Sequence, residues 1–180
     1  MTTIDELVQE LEQEARTTRR VLERVPEDRL GWKPHQKSWS LGQLALHVAT
    51  VPGAIAEMAQ HSPFPLPTFS QASPASAAEL LTTLDKSIAK AQGLLRQMDA
   101  AALTKIWRAV DGDKEVMALP VGALLRAIML NHWYHHRGQL SVYLRQVGAL
   151  VPSIYGPSSD ENPFKPQPAA ATGTEGSVIG

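Results

Sequence analysis

The chain has 180 residues, enough for one domain with a real core, and its 43 % hydrophobic and 19 % charged shares are ordinary for a globular protein. Its 17 basic and 18 acidic residues leave a formal net charge of -1, with no basic stripe for nucleic acid and no block of like charge for a membrane surface. There is no cysteine, which excludes disulfides, thiolate metal sites and cysteine nucleophiles, so a metal would have to sit on histidine, carboxylate or carbonyl ligands.

The first residues, MTTIDELVQELEQ, are acidic and amphipathic and lack the basic start and apolar centre of a signal peptide. No apolar run approaches a membrane span, so a cytoplasmic location is expected. Ile4, Leu7, Val8, Leu11, Ala15, Val21 and Leu22 recur at helical spacing and predict a first helix from about Ile4 to Val25. Thr3 and Glu6 form a capping-box pattern at its start, and Pro26 stops it.

After the loop GWKPHQKSW, Ser40 and Gln43 repeat the capping-box pattern, and a second helix begins near Leu41. Pro52 and Gly53 lie inside it and predict a kink or a break. Pro63, Pro65 and Pro67 make His61 to Ser73 an extended loop. Ser76 and Glu79 open a third helix through Leu80, Leu84, Ile88, Leu95 and Met98. The stretches Lys105 to Val110 and Glu115 to Leu119 flank Asp111-Gly112-Asp113, which reads equally as a small hairpin or an irregular loop.

Pro120 suits the first turn of a fourth helix, which runs to about Val147 with Gly148 to end it. From Lys165 onward the composition is that of a flexible tail, so a domain over 1–164 and a tail over 165–180 are expected. Four long amphipathic helices with little strand signal predict an all-α four-helix bundle.

On a regular helical wheel, Val121, Leu125, Ile128, Met129, Leu140 and Tyr143 define the core stripe of the fourth helix. His132 and His136 fall in the middle of it, His135 at its rim, and Tyr134 and Arg137 mostly outside. An i, i+4 histidine pair on one face can present two imidazoles to one metal ion, and His47, at the edge of the second helix's stripe, offers a third. The plainer alternative is that these are core histidines with ordinary hydrogen-bond partners. An i, i+3 pairing of His132 with His135 is a further geometric option. Gln43, Gln139 and Tyr143 could support ligands from behind. Against that, Gln43 already has a capping role and Tyr143 suits a core. Trp39 and Trp133 read as packing residues, Arg137 as a surface or interface ion-pair partner, and His35 and His61 as solvent-exposed.

The runs Trp39-Ser40-Leu41-Gly42-Gln43-Leu44-Ala45-Leu46-His47 and His132-Trp133-Tyr134-His135-His136-Arg137-Gly138-Gln139-Leu140 resemble the DinB family, also called DinB/YfiT-like. The resemblance spans roughly Ile4 to Glu161, and the segment Pro152 to Ser158 is similar to one branch of the family. It implies an up-down-down-up four-helix course and a homodimer. It also implies a metal triad that falls on His47, His132 and His136, with His135 a frequent histidine that is not a ligand. Some family members are thiol S-transferases or thiol-dependent isomerases using bacillithiol, mycothiol or glutathione-like cofactors.

Three neutral imidazoles suit zinc or nickel and leave a coordination position for water, a small-molecule substrate or a low-molecular-weight thiol. A zincin-type hydrolase would need a glutamate directly after the first histidine of the pair, and Trp133 stands there. Thiol transfer is therefore expected ahead of metal-dependent hydrolysis. A non-catalytic bundle that binds metal or a small ligand in stress response is the third option. The balanced charge argues against direct nucleic-acid binding.

Overall fold

The structure, a computed structural model, describes residues 3–67 and 71–165. The expected flexible tail over 165–180 lies, beyond Lys165, outside the described residues. The chain is mostly helical. Its long elements are α1 (Ile4–Leu22), α2 (Leu41–Met58), α3 (Ala77–Arg96) and a fourth rod made of α4 (Val121–Leu124), a π-helical segment (Leu125–Asn131) and α5 (His132–Gln146). α2 packs on α3 and α5, and α1 on α3, α5 and α2, so the core lies between the rods. Leu11, Leu44, Leu84, Leu95 and Leu140 are among its fully buried members.

The helix starts follow the capping chemistry. Thr3 and Ser40 each accept the N–H of the residue three on, while Glu6 and Gln43 accept the cap's own N–H. Ser76 accepts from Glu79, but the Glu79 carboxylate takes the N–H of Ala75 instead, leaving half a box. α1 ends at Leu22 rather than Val25, because a residue before proline is pushed out of the helical region and Pro26 imposes this on Val25. Gly148, with φ of 78°, closes α5 as expected.

Pro52 does not break α2. It cannot donate to the carbonyl of Val48, and the indole N–H of Trp133 takes that acceptor at 2.8 Å. One residue on, Gly53 donates to the Ser87 hydroxyl at 2.8 Å, and that hydroxyl donates to the Thr50 carbonyl at 3.1 Å. The disturbed turn is thus repaired from both sides, by α5 and by α3. Gly53 also has no room for a side chain, since a Cβ there would lie 2.8 Å from the Ser87 carbonyl oxygen.

The stretch that read as hairpin or loop is a hairpin. β2 (Ile106–Asp111) pairs antiparallel with β3 (Lys114–Pro120) across a two-residue turn, with Gly112 at φ of 58°. β1 (Phe64–Pro65) adds to β2 in parallel, which fixes the proline-rich loop against the hairpin. Buried Trp107 on β2 donates its indole N–H to the Met58 carbonyl, tying the sheet to the end of α2.

Candidate metal centre

The fourth rod does not keep the regular wheel. The His132 N–H donates to the Ala127 carbonyl, five residues back, so one extra residue is accommodated before α5 begins. Everything downstream is rotated by one position. The buried stripe of α5 is Trp133, Arg137, Leu140 and Leu144. His132 and His136, expected at the stripe's centre, are half-buried at its edge, as is Tyr143, and His135 is exposed. Arg137, expected at the surface, is 1 % exposed. It pairs with Glu14 of α1 at 2.6 Å, donates to the Thr18 hydroxyl and meets the Tyr155 hydroxyl.

The edge position turns the two histidines toward α2. His47 Nε2 and His132 Nε2 are 3.1 Å apart, and one ligating nitrogen from each of His47, His132 and His136 lies within 4.8 Å of the others. The rings meet edge to face, with centroids 4.3 to 5.3 Å apart. Three tetrahedral zinc–imidazole bonds place their nitrogens about 3.3 Å from one another, so the His47–His132 pair already stands at ligating separation and the chemistry of the set suits a first-row divalent ion. Among the described residues, no carboxylate joins the group.

His136 Nδ1 lies 2.7 Å from Gln139 Oε1, which places the ring proton on Nδ1 and leaves Nε2 free to ligate. Gln43 is spent elsewhere: its Oε1 caps Ser40, and its Nε2 and main-chain carbonyl exchange hydrogen bonds with Gln71. Tyr143 packs edge-on to Trp32 with ring centroids 5.6 Å apart. Burial lowers the pKa of all three cluster histidines, and that of His47 to about 4, with the His136 and His132 charges adding to the effect. The cluster is therefore neutral and ligation-ready at neutral pH.

Trp39 is not a simple packing residue. It is 37 % exposed, with its ring centroid 5.0 Å from that of His47 and 5.7 Å from that of His136. It lines a cavity of about 660 Å³ that opens on His47 and His132 and runs along α2 beneath the proline-rich loop. His61 is exposed as expected, yet also lines that cavity. His35 is exposed. Asp160 is held by Arg145 and Glu161 by Arg20, so neither is a spare carboxylate. The Tyr155 hydroxyl is drawn to Glu14 and Arg137, and Tyr155 does not line the cavity. No spacing rule marks Trp39, because it reaches the site from a loop.

A mostly helical fold with three imidazoles converging between two rods defines the class. The family model described as the DinB family matches residues 1–168, and the chain belongs to that family. It is 29 % identical over 160 residues to YrdA, an uncharacterized protein of Bacillus subtilis (strain 168), covering 88 % of this chain and 92 % of YrdA. A DinB-like protein from Bacillus cereus ATCC 10987 superposes with a TM-score of 0.69 at 25 % identity, over 85 % of this chain and 98 % of that one. A single-residue variant of a mycothiol-dependent maleylpyruvate isomerase shares the fold, with a TM-score of 0.52 at 14 % identity, over 84 % of this chain and 65 % of that one. Among the described residues, no helix is long and apolar enough to cross a membrane.

Proposed function

We propose that the chain is a metal-dependent enzyme in which His47, His132 and His136 hold one zinc or nickel ion and a low-molecular-weight thiol is transferred to a small electrophile. The carrying observation is the convergence of three neutral imidazoles with no carboxylate among them. Such an ion supplies an open coordination position that acidifies a thiol or water occupying it.

The chain's own residues supply the rest. Gln139 fixes the His136 tautomer, Trp39 packs beside His47 and His136, and the adjoining cavity would hold the electrophile. In the transfer, the thiol loses its proton to water and the sulfur electron pair forms a bond to the electrophilic carbon. The leaving group departs with its bonding pair and takes up a proton. Hydrolysis would need a positioned base. Buried Trp133 occupies the zincin glutamate position. Glu57 is ten residues along α2 from His47, about 15 Å of helix, and is paired with Lys90. The thiol-dependent isomerase of the same fold supports the choice of chemistry. The same reading takes the four rods as an up-down-down-up bundle over 1–164 and the protein as a cytoplasmic homodimer without direct nucleic-acid contact.

Elemental analysis of protein purified without a metal-binding tag tests the centre. Close to one zinc or nickel per chain is expected, lost in a His132→Ala, His136→Ala double variant. Turnover of an electrophile with a panel of low-molecular-weight thiols tests the reaction. Cleavage of esters or amides with no thiol turnover would replace transfer by hydrolysis. A chain that neither carries nor takes up metal would remove the proposal.

A further inference from the structure

The cavity beside the histidine cluster has an uneven chemistry that constrains what fills it. His47, Val51, Ala54, Ile55 and Met58 follow one another along one face of α2, so the space extends over twelve residues, about 16 Å of helix. Ile128 closes it from the fourth rod and Phe64 and Pro67 from the proline-rich loop. At about 660 Å³ it is of the size that takes a small organic molecule.

Of the polar groups along these walls, Thr50, Gln71 and Glu57 are already engaged, and His61 stands exposed at the Met58 end. Thr50 donates its hydroxyl to the carbonyls of Leu46 and His47. Gln71 donates its side-chain amide to the Gln43 carbonyl. Glu57 is paired with Lys90 at 2.5 Å. Among the described residues, no lysine or arginine lines the cavity. A ligand there meets polar, ligating chemistry at the histidine end and apolar surface along the body. A charged group placed on that body, short of His61, would lose part of its hydration without a partner.

We infer that this cavity binds an elongated small molecule with one ligating head group at His47 and His132 and an uncharged apolar body along α2, and that it rejects anionic bodies. The inference rests on the metal reading for its head group but not for its body. The electrophile is accordingly a lipophilic molecule rather than a polycarboxylate.

Full-length zinc-loaded protein titrated with straight-chain alkyl hydroxamates, and with the same chains ending in a carboxylate, tests this. Affinity is expected to rise about fourfold per added methylene until the cavity is filled. A terminal carboxylate that stops short of His61 should cancel that gain. Ala54 is exposed into the cavity, so Ala54→Arg places a cation there without disturbing the core. It should flatten the alkyl series and tighten the carboxylated one. An affinity independent of chain length, or carboxylated chains binding as tightly as plain ones to the unaltered protein, would overturn the inference.

If the protein takes up no zinc, the body is read alone, by displacing the neutral fluorophore 1-N-phenylnaphthylamine with n-alkanols. Displacement that strengthens with chain length and is lost in Ala54→Arg sustains the inference while the metal reading fails. Absent displacement, or displacement unchanged in the variant, overturns it.

Discussion

Val48 follows His47 and Trp133 follows His132, and the hydrogen bond from the Trp133 indole to the Val48 carbonyl therefore spans α2 and α5 one residue away from the pair of facing imidazoles. The acceptor exists because Pro52 leaves it unused. A proline in one helix and a tryptophan in another thus fix the separation of two candidate ligands.

Trp133→Phe should leave the Val48 carbonyl buried and unpaired, at a cost of about 1–3 kcal/mol. Zinc affinity should fall with it, because His47 and His132 lose their tether. In a Pro52→Ala background the helix regains a donor for that carbonyl, so the double variant should recover part of the loss. Denaturant melts and zinc titrations on the four proteins of the cycle check this. Equal costs of Trp133→Phe with and without Pro52 would discard the tether.

Gln139→Ala removes the acceptor facing His136 Nδ1 and frees the ring to rotate or change tautomer. Metal affinity should drop roughly 10–100-fold with little change in the melting of the metal-free chain. Competition with a chromophoric chelator measures it. An unchanged affinity would leave Gln139 without a role at the site.

Arg137 and Glu14 form a buried ion pair between α5 and α1. Arg137→Met alone should cost about 3–5 kcal/mol by leaving the buried carboxylate with only the Tyr155 hydroxyl, and adding Glu14→Met should recover part of it. Thermal melts of the single and double variants test the pairing. Additive losses would show that packing, not charge, dominates.

The metal-free protein should weaken in mild acid. An unfolded His47 titrates near the ordinary 6.5 and the folded one near 4, so between those values the unfolded chain binds more protons. Stability from this group is intact above about pH 6.5 and lost as the pH falls toward 4. His47→Gln should flatten that part of the curve. The same lowered pKa should let the site keep zinc at pH 6, where an ordinary imidazole is mostly protonated. Loss of zinc between pH 7 and 6 would contradict it.

Capping chemistry and apolar spacing located the helix starts, and the histidine spacing brought His47, His132 and His136 together as candidates. Periodicity failed where the helix itself is irregular. The wheel assumes 3.6 residues per turn, and the π-helical segment Leu125–Asn131 breaks that assumption just before the site. Hence Trp133 and Arg137 hold the core positions that the wheel had assigned to His132 and His136. The repair of α2 at Pro52 was equally hidden, because both repairing groups, Trp133 and Ser87, come from distant parts of the chain.

Gln43 serves two structures at once. One end of its amide caps the first turn of α2, and the other end, with its main-chain carbonyl, holds Gln71 in the cavity wall. Fraying of that turn is therefore expected to loosen the wall with it. Amide exchange at the start of α2 becomes a clock for entry to the cavity, and any molecule that braces the wall should slow it.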